Sequence, residues 1–199
     1  MDWANRQDWS DGLTTSFVRA AEAKFNAELR IDRMIQIEEA LITDRCAPIP
    51  DDWLQFDLIK IGNADAATGL SPIHYEPRDE FFRRRTINDN HGYGKYTIEG
   101  RQIYFGGPPD TVNGITYQIN YYAEVPVLSD TQTSWVYTKY PSMYLFAALM
   151  HADLHAVGEE QTAANLKQLT EDMIQKLNNQ HLLSRASGSR ITRRRRGFG

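Results

Sequence analysis

The amino-acid sequence predicts an α+β protein: a small antiparallel helical bundle, made of an N-terminal helix and a C-terminal helix pair, with an antiparallel β domain inserted and a flexible basic arm at the C-terminus. Three observations predict it. Phe17, Ala21, Phe25 and Leu29 recur at every fourth position; the middle of the chain is a series of short apolar segments cut by Gly, Pro, Asn and Asp; and from Pro141 the helical period returns.

The first helix is expected from Ser16 to Leu29, with Thr14 or Thr15 as its cap and with Arg19, Glu22, Glu28 and Arg30 on faces away from the apolar stripe. From Arg33 the period changes. The segment MIQIEEALIT alternates in part and runs into the turn around Pro48 and Pro50, so it reads as a strand followed by a loop. WLQFDLIKI, SPIHYEP, DEFFRRRTI, GKYTIEGRQIYFGG and GITYQINYYAEVPVL continue in the same style, and most of the ten tyrosines lie here. Two hairpins are expected, one turning at Glu99-Gly100 and one across Gly106 to Gly114.

Pro141 suits the first turn of a helix whose face is traced by Tyr144, Leu145, Ala148, Leu149, Ala152 and His155, with Gly158 as the stop. A second helix is expected from Gln161 to about Leu183, on Ala164, Leu166, Leu169, Met173, Ile174, Leu177 and Leu182, and the short connection makes the two antiparallel. From Ser184 the pattern is lost. The expected organisation is therefore residues 1–32 with 134–183 as the helical bundle, 33–133 as the β domain and 184–199 as the arm.

Charge is distributed unevenly. The chain carries 22 bases and 26 acids, and six of the bases, Arg185, Arg190 and Arg193 to Arg196, lie in a final stretch that contains no acid. The other 16 bases face all 26 acids, so the body is near −10 and the tail +6. The single cysteine, Cys46, can form no internal disulfide, and the N-terminus lacks a basic region leading into an apolar run. A chain made and kept inside the cell, with no membrane span, is expected.

Motifs for chemistry are weak. In HADLH, His151 and His155 stand four apart on a helix, a spacing that can chelate a metal, but the glutamate of the zincin pattern is missing and no third ligand is evident. Packed or solvated helix histidines are the better reading, and no metal is expected. HGYGK and YFGGPPD match neither a P-loop nor a dinucleotide fingerprint and read as turns. No GxSxG elbow occurs. The sequence calls for no catalytic residue and no cofactor. Arg83, Arg84 and Arg85 read as a solvated loop or a charged strand edge.

The C-terminal arginines are different. Four in a row repel one another and call for an acidic partner, either nucleic acid or an acidic protein groove. Extended, the residues from Ser184 onward reach roughly 50 Å. Phe198, set between two glycines, has the form of an anchor for a pocket. The rival expectation to a protein-docking arm is a nucleic-acid-binding protein with a disordered Arg-rich tail. Its weakness is the acidic body and the lack of any helix-turn-helix, RNA-recognition or zinc signature.

FVRAAEAKFNAELRI, APIPDDWLQFDLIKI and KYPSMYLFAALMHADLHAVGEEQTAANLKQLTEDMIQKLN together resemble the head-to-tail adaptor (connector) proteins of tailed bacteriophages, over Phe17 to Asn178. The resemblance implies a structural virion protein and not an enzyme. It implies a ring, usually of twelve subunits, made in the host cytoplasm and placed in the virion neck between the portal protein and a tail or nozzle protein. It also implies that Arg190, Ile191, Arg193, Arg194, Arg195, Arg196 and Phe198 belong to an arm that docks on the portal, with a contact to packaged DNA left open. On this reading the arm orders as it binds.

Overall fold

A computed structural model describes residues 10–63, 69–87, 94–107, 115–129, 131–155 and 160–194. The chain is α+β and divides into two compact units, Met1–Asp32 with Val125–Gly199, and Arg33–Glu124.

The first unit holds four helices: α1 Asp11–Glu28, α3 Trp135–Lys139, α4 Pro141–His155 and α5 Glu160–Arg194. α1 starts earlier than its apolar period indicates. Ser10 is the N-cap, and its hydroxyl accepts the Leu13 N–H at 3.3 Å. Thr14 and Thr15, expected to be the cap, lie inside the first turns and donate back to the Asp11 carbonyl at 2.9 and 2.7 Å.

Phe17, Ala21 and Phe25 are buried along α1, and Leu29 follows them into the core. Glu22 is buried with them, not on a solvent face. α4 packs against both α1 and α5. Its buried face is Met143, Tyr144, Ala147 and Met150, whereas Leu145 is 54% exposed. The stretch from Pro141 to Met150 carries no charge, so periodicity alone has no polar face with which to set the rotation of this helix.

α5 is 35 residues long, about 52 Å at 1.5 Å per residue. Ala163, Thr170, Ile174 and His181 form its buried seam, while Leu169 and Leu182, expected on that seam, are exposed. The helix also continues past Leu183 to Arg194, where a flexible arm was expected. Arg and Ala are good helix formers, and extending an existing helix avoids the cost of nucleation. Cations at a helix C-terminus also complement its dipole.

The second unit is built on two four-stranded sheets, ordered β1-β8-β3-β4 and β2-β7-β6-β5. The strands are β1 Ile35–Leu41, β2 Cys46–Pro48, β3 Trp53–Asn63, β4 Ser71–Pro72, β5 His74–Tyr75, β6 Lys95–Glu99, β7 Gln102–Phe105 and β8 Ile115–Ala123. One apolar cluster joins the sheets, with Ile59, Ile61, Ile119 and Tyr121 from the first and Ala47, Ile103 and Phe105 from the second. The β6–β7 hairpin turns at Gly100, whose φ of +62° is the left-handed conformation that glycine adopts at no steric cost.

Three expectations for this region are corrected. The expected hairpin across Gly106 to Gly114 falls mostly outside the described residues, and among those described its flanking strands do not pair: β7 pairs with β6 and β2, whereas β8 lies in the other sheet between β1 and β3. The pairing is not wholly antiparallel, because β5 runs parallel to β6. DEFFRRRTI is a helix, α2 Arg78–Ile87. Asp79 and Glu80 in its first turn and arginines further on complement the helix dipole, and Phe81 supplies a fully buried contact.

Candidate docking site

The C-terminal half of α5 is fastened to the end of α1 by three side chains. Asn178 accepts the Arg30 N–H through Oδ1 at 2.8 Å and donates through Nδ2 to the Glu28 carbonyl at 2.8 Å. One side-chain amide thus satisfies both the last carbonyl of α1 and the first backbone N–H beyond its C-cap Leu29. Three residues on, buried His181 places Nδ1 3.0 Å from Asp32 Oδ1, and Ser184 Oγ lies 3.5 Å from Asp32 Oδ2. Lys24 on α1 reaches Glu28 at 2.8 Å and Glu171 on α5 at 3.3 Å. Burial pulls the Lys24 ammonium down, but the two carboxylates outweigh it and hold the pKa above the ordinary lysine value.

Beyond Ser184 the α5 backbone carries Arg185, Arg190, Ile191, Arg193 and Arg194. Residues 185–194 add about 15 Å of helix. Arg195, Arg196 and Phe198 lie outside the described residues. The structure thus puts four of the seven expected docking residues, Arg190, Ile191, Arg193 and Arg194, on the same helix that Asn178 and His181 anchor.

A second polar cluster holds the chain where it returns to the helices. Glu22 is 4% exposed and accepts three hydrogen bonds: from Tyr144 Oη at 2.6 Å, the Leu128 N–H at 2.6 Å and Arg19 Nη1 at 2.8 Å. One turn later, Asn26 Oδ1 accepts the Val125 N–H at 2.8 Å. Burial, followed by the bond to the Glu22 carboxylate, pushes the Tyr144 phenol far above its ordinary value, so it remains a donor. Sequence reading missed Glu22, Asn26 and Asn178 as anchors. The available signal was a pair of polar residues four apart, Glu22 and Asn26, beside the apolar stripe.

The histidines do not assemble a metal centre among the described residues, where no group of three potential ligands is found. His151 on α4 is held below the ordinary histidine value, first by burial and then by the Lys24 charge, which favours the neutral ring. The side chain of His155 lies outside what is described. Arg84 is neither loop nor strand edge: from α2 it places Nη1 2.9 Å from Oε1 of Glu76, which is 3% exposed. Arg83 is also on α2, 4.0 Å from Glu80. No helix among the described residues is long and apolar enough to cross a membrane.

The family model described as SU10 adaptor protein matches residues 1–195, almost the whole chain. The chain belongs to the SU10 adaptor family. This is a bacteriophage head-to-tail adaptor family, in agreement with the resemblance carried by the two helical segments and the PIPDDW turn. No match is found among curated proteins.

Proposed function

We propose that this adaptor is a ring-forming subunit of the virion neck, twelve copies to the ring, which joins the portal protein to a tail or nozzle protein. The basic end of α5, with Arg190, Ile191, Arg193 and Arg194 and then Arg195, Arg196 and Phe198, is its portal-docking element. The observation that carries this is the clamped 35-residue helix. Its anchors at Asn178 and His181 give the basic end a defined origin, and Arg pairs bidentately with carboxylates on an acidic partner surface. Multiplied around a ring, contacts that are individually weak become cooperative through their high effective concentration. The bundle of α1, α4 and α5 is the part that carries the rod, and unit Arg33–Glu124 is left for the tail side.

Light scattering after size exclusion tests this on the chain mixed with its portal protein, comparing full length with a chain ending at Leu183. A ring-sized complex formed by the full chain alone supports portal docking through the basic end. Equal complexes from both chains remove the arm from the interface. No complex from either, together with salt-sensitive binding to duplex DNA, favours the nucleic-acid reading instead.

A further inference from the structure

The strand β1 has an inverted character. In the sheet order it is an edge strand, and among the described residues it pairs with β8 alone. Its register with β8 places Glu38 opposite Ile119 and Ala40 opposite Tyr117, on the side of the sheet that faces the core, yet both are exposed. The opposite side carries Ile37 and Leu41, beside Asn120 and Thr116, and these two are 61% and 58% exposed. Between them Glu39 joins a polar ladder, accepting from Gln118 Nε2 at 3.5 Å while Gln118 Oε1 accepts from Lys60 at 3.2 Å. β1 therefore turns its large apolar residues to solvent, while on its other face the Glu38 carboxylate lies by Tyr117 and Tyr121 at the margin of the apolar cluster.

The backbone is equally informative. The Ile42 N–H donates to the Ile115 carbonyl at 2.8 Å, which continues the same register by one pair. In an antiparallel ladder hydrogen-bonded pairs alternate with non-bonded ones, so Gln36, Glu38 and Ala40 direct their backbone groups at β8. Ile37, Glu39 and Leu41 direct theirs at the open edge. Glu38 and Glu39 blunt this edge against indiscriminate pairing, since charge on an edge strand disfavours apolar or acidic strands. It is nonetheless seven residues long, and among the described residues it presents two large apolar side chains beside backbone donors and acceptors that no described strand pairs.

We propose that β1 is a strand-addition site that takes an extended, basic segment of another protein as a further strand of the sheet. The chemistry of the occupant follows from the edge. Glu38 and Glu39 put one carboxylate on each face and β1 has no base, so the incoming strand carries Lys or Arg opposite them and apolar residues beside Ile37 and Leu41. A second copy's β1 is a poor occupant, because antiparallel self-pairing sets glutamates against glutamates. The chain's own basic residues 190–194 are helical and present no strand. This site is independent of the portal-docking reading and survives its failure.

The test uses the full chain and a fluorescein-labelled peptide of alternating valine and lysine, with a valine–glutamate peptide as control. Binding is read by anisotropy and amide exchange by NMR. The lysine peptide is expected to bind and to slow exchange at Ile37, Glu39 and Leu41 by at least about tenfold, while Gln36, Glu38 and Ala40 are already slow in the free chain. Glu38→Lys/Glu39→Lys and Leu41→Pro are each expected to weaken binding about tenfold or more; the proline removes an outward N–H and leaves the β8 ladder in place. Retained slow exchange at Gln36, Glu38 and Ala40 shows that each variant is folded. Binding without slowed exchange at Ile37, Glu39 and Leu41, equal binding of the glutamate peptide, or no binding at all overturns the proposal.

Discussion

Replacing Glu22 with alanine is the sharpest perturbation available in the helical unit. The carboxylate, 4% exposed, collects Tyr144 Oη, the Leu128 N–H and Arg19 Nη1 within 2.8 Å. Truncation leaves two donors that face the interior without an acceptor, and each hydrogen bond to a charged group is worth about 1.5–3 kcal/mol. Arg19 is 44% exposed and can turn to water, so its pair adds little. The expected loss is about 3–5 kcal/mol, the size found when one member of a buried polar pair is removed. At about 2–4 °C per kcal/mol for a chain of this length, the melting midpoint falls by about 6–20 °C. Differential scanning calorimetry on Glu22→Ala checks this beside Arg101→Ala, which removes a solvated pair with Asp51 and should leave the midpoint where it was. A Glu22→Ala midpoint indistinguishable from that of Arg101→Ala would refute the argument that this carboxylate ties α1 to α4 and to the returning chain.

Two further outcomes follow from the structure. The His151 pKa is lowered in the fold, so the neutral ring contributes stability that is full above the unfolded value of about 6.5 and is lost as pH falls from there through the folded value. His151→Gln should therefore flatten the fall in urea midpoint between about pH 7.5 and about pH 5.5, and an unchanged slope would count against a buried neutral imidazole. Ala186→Pro breaks the helix just after its clamps and should weaken portal association at least about tenfold in sedimentation or light scattering. The same substitution would be harmless in an arm that binds without helical structure.

The helices were legible where their faces differ in polarity and obscure where they do not. Phe17, Ala21 and Phe25 announced the buried face of α1, and their spacing was enough. α4 offered apolar residues on nearly every side, so the sequence supported Leu145 as readily as Met143, and only packing against α1 and α5 separates them. The strands of β1, β3 and β8 were visible in their β-branched and aromatic content. Their pairing was not, because Gly106 to Gly114 suits a hairpin turn and a crossing between sheets equally well, and side-chain alternation says nothing of which strand is the neighbour. α2 was lost for a local reason: Phe81-Phe82 beside three arginines shows neither period. The arginines of the proposed docking end were plain from charge, whereas Asn178 and Asp32 act through contacts made about 150 residues apart in sequence, and no local pattern encodes such contacts.

The extension of α5 bears on why the arginines are there. Cations in the last turn of a helix gain about 0.3–1 kcal/mol from the dipole. Like charges three and four apart, as Arg190 is from Arg193 and Arg194, cost about 0.2–0.5 kcal/mol a pair. The two effects are of one size and opposite sign, so the cluster brings the fold almost nothing. On the portal-docking proposal its energetic return comes from the partner, in line with the charge imbalance between tail and body. What changes is the cost of collecting that return. Ordering the backbone of a disordered arm takes about 1–2 kcal/mol per residue at the moment of binding. For residues 185–194 that ordering is offset beforehand by i→i−4 hydrogen bonds within α5. On the proposed portal-docking reading, docking of this stretch draws only on side-chain freedom, and the clamps at Asn178 and His181 set where the basic end begins.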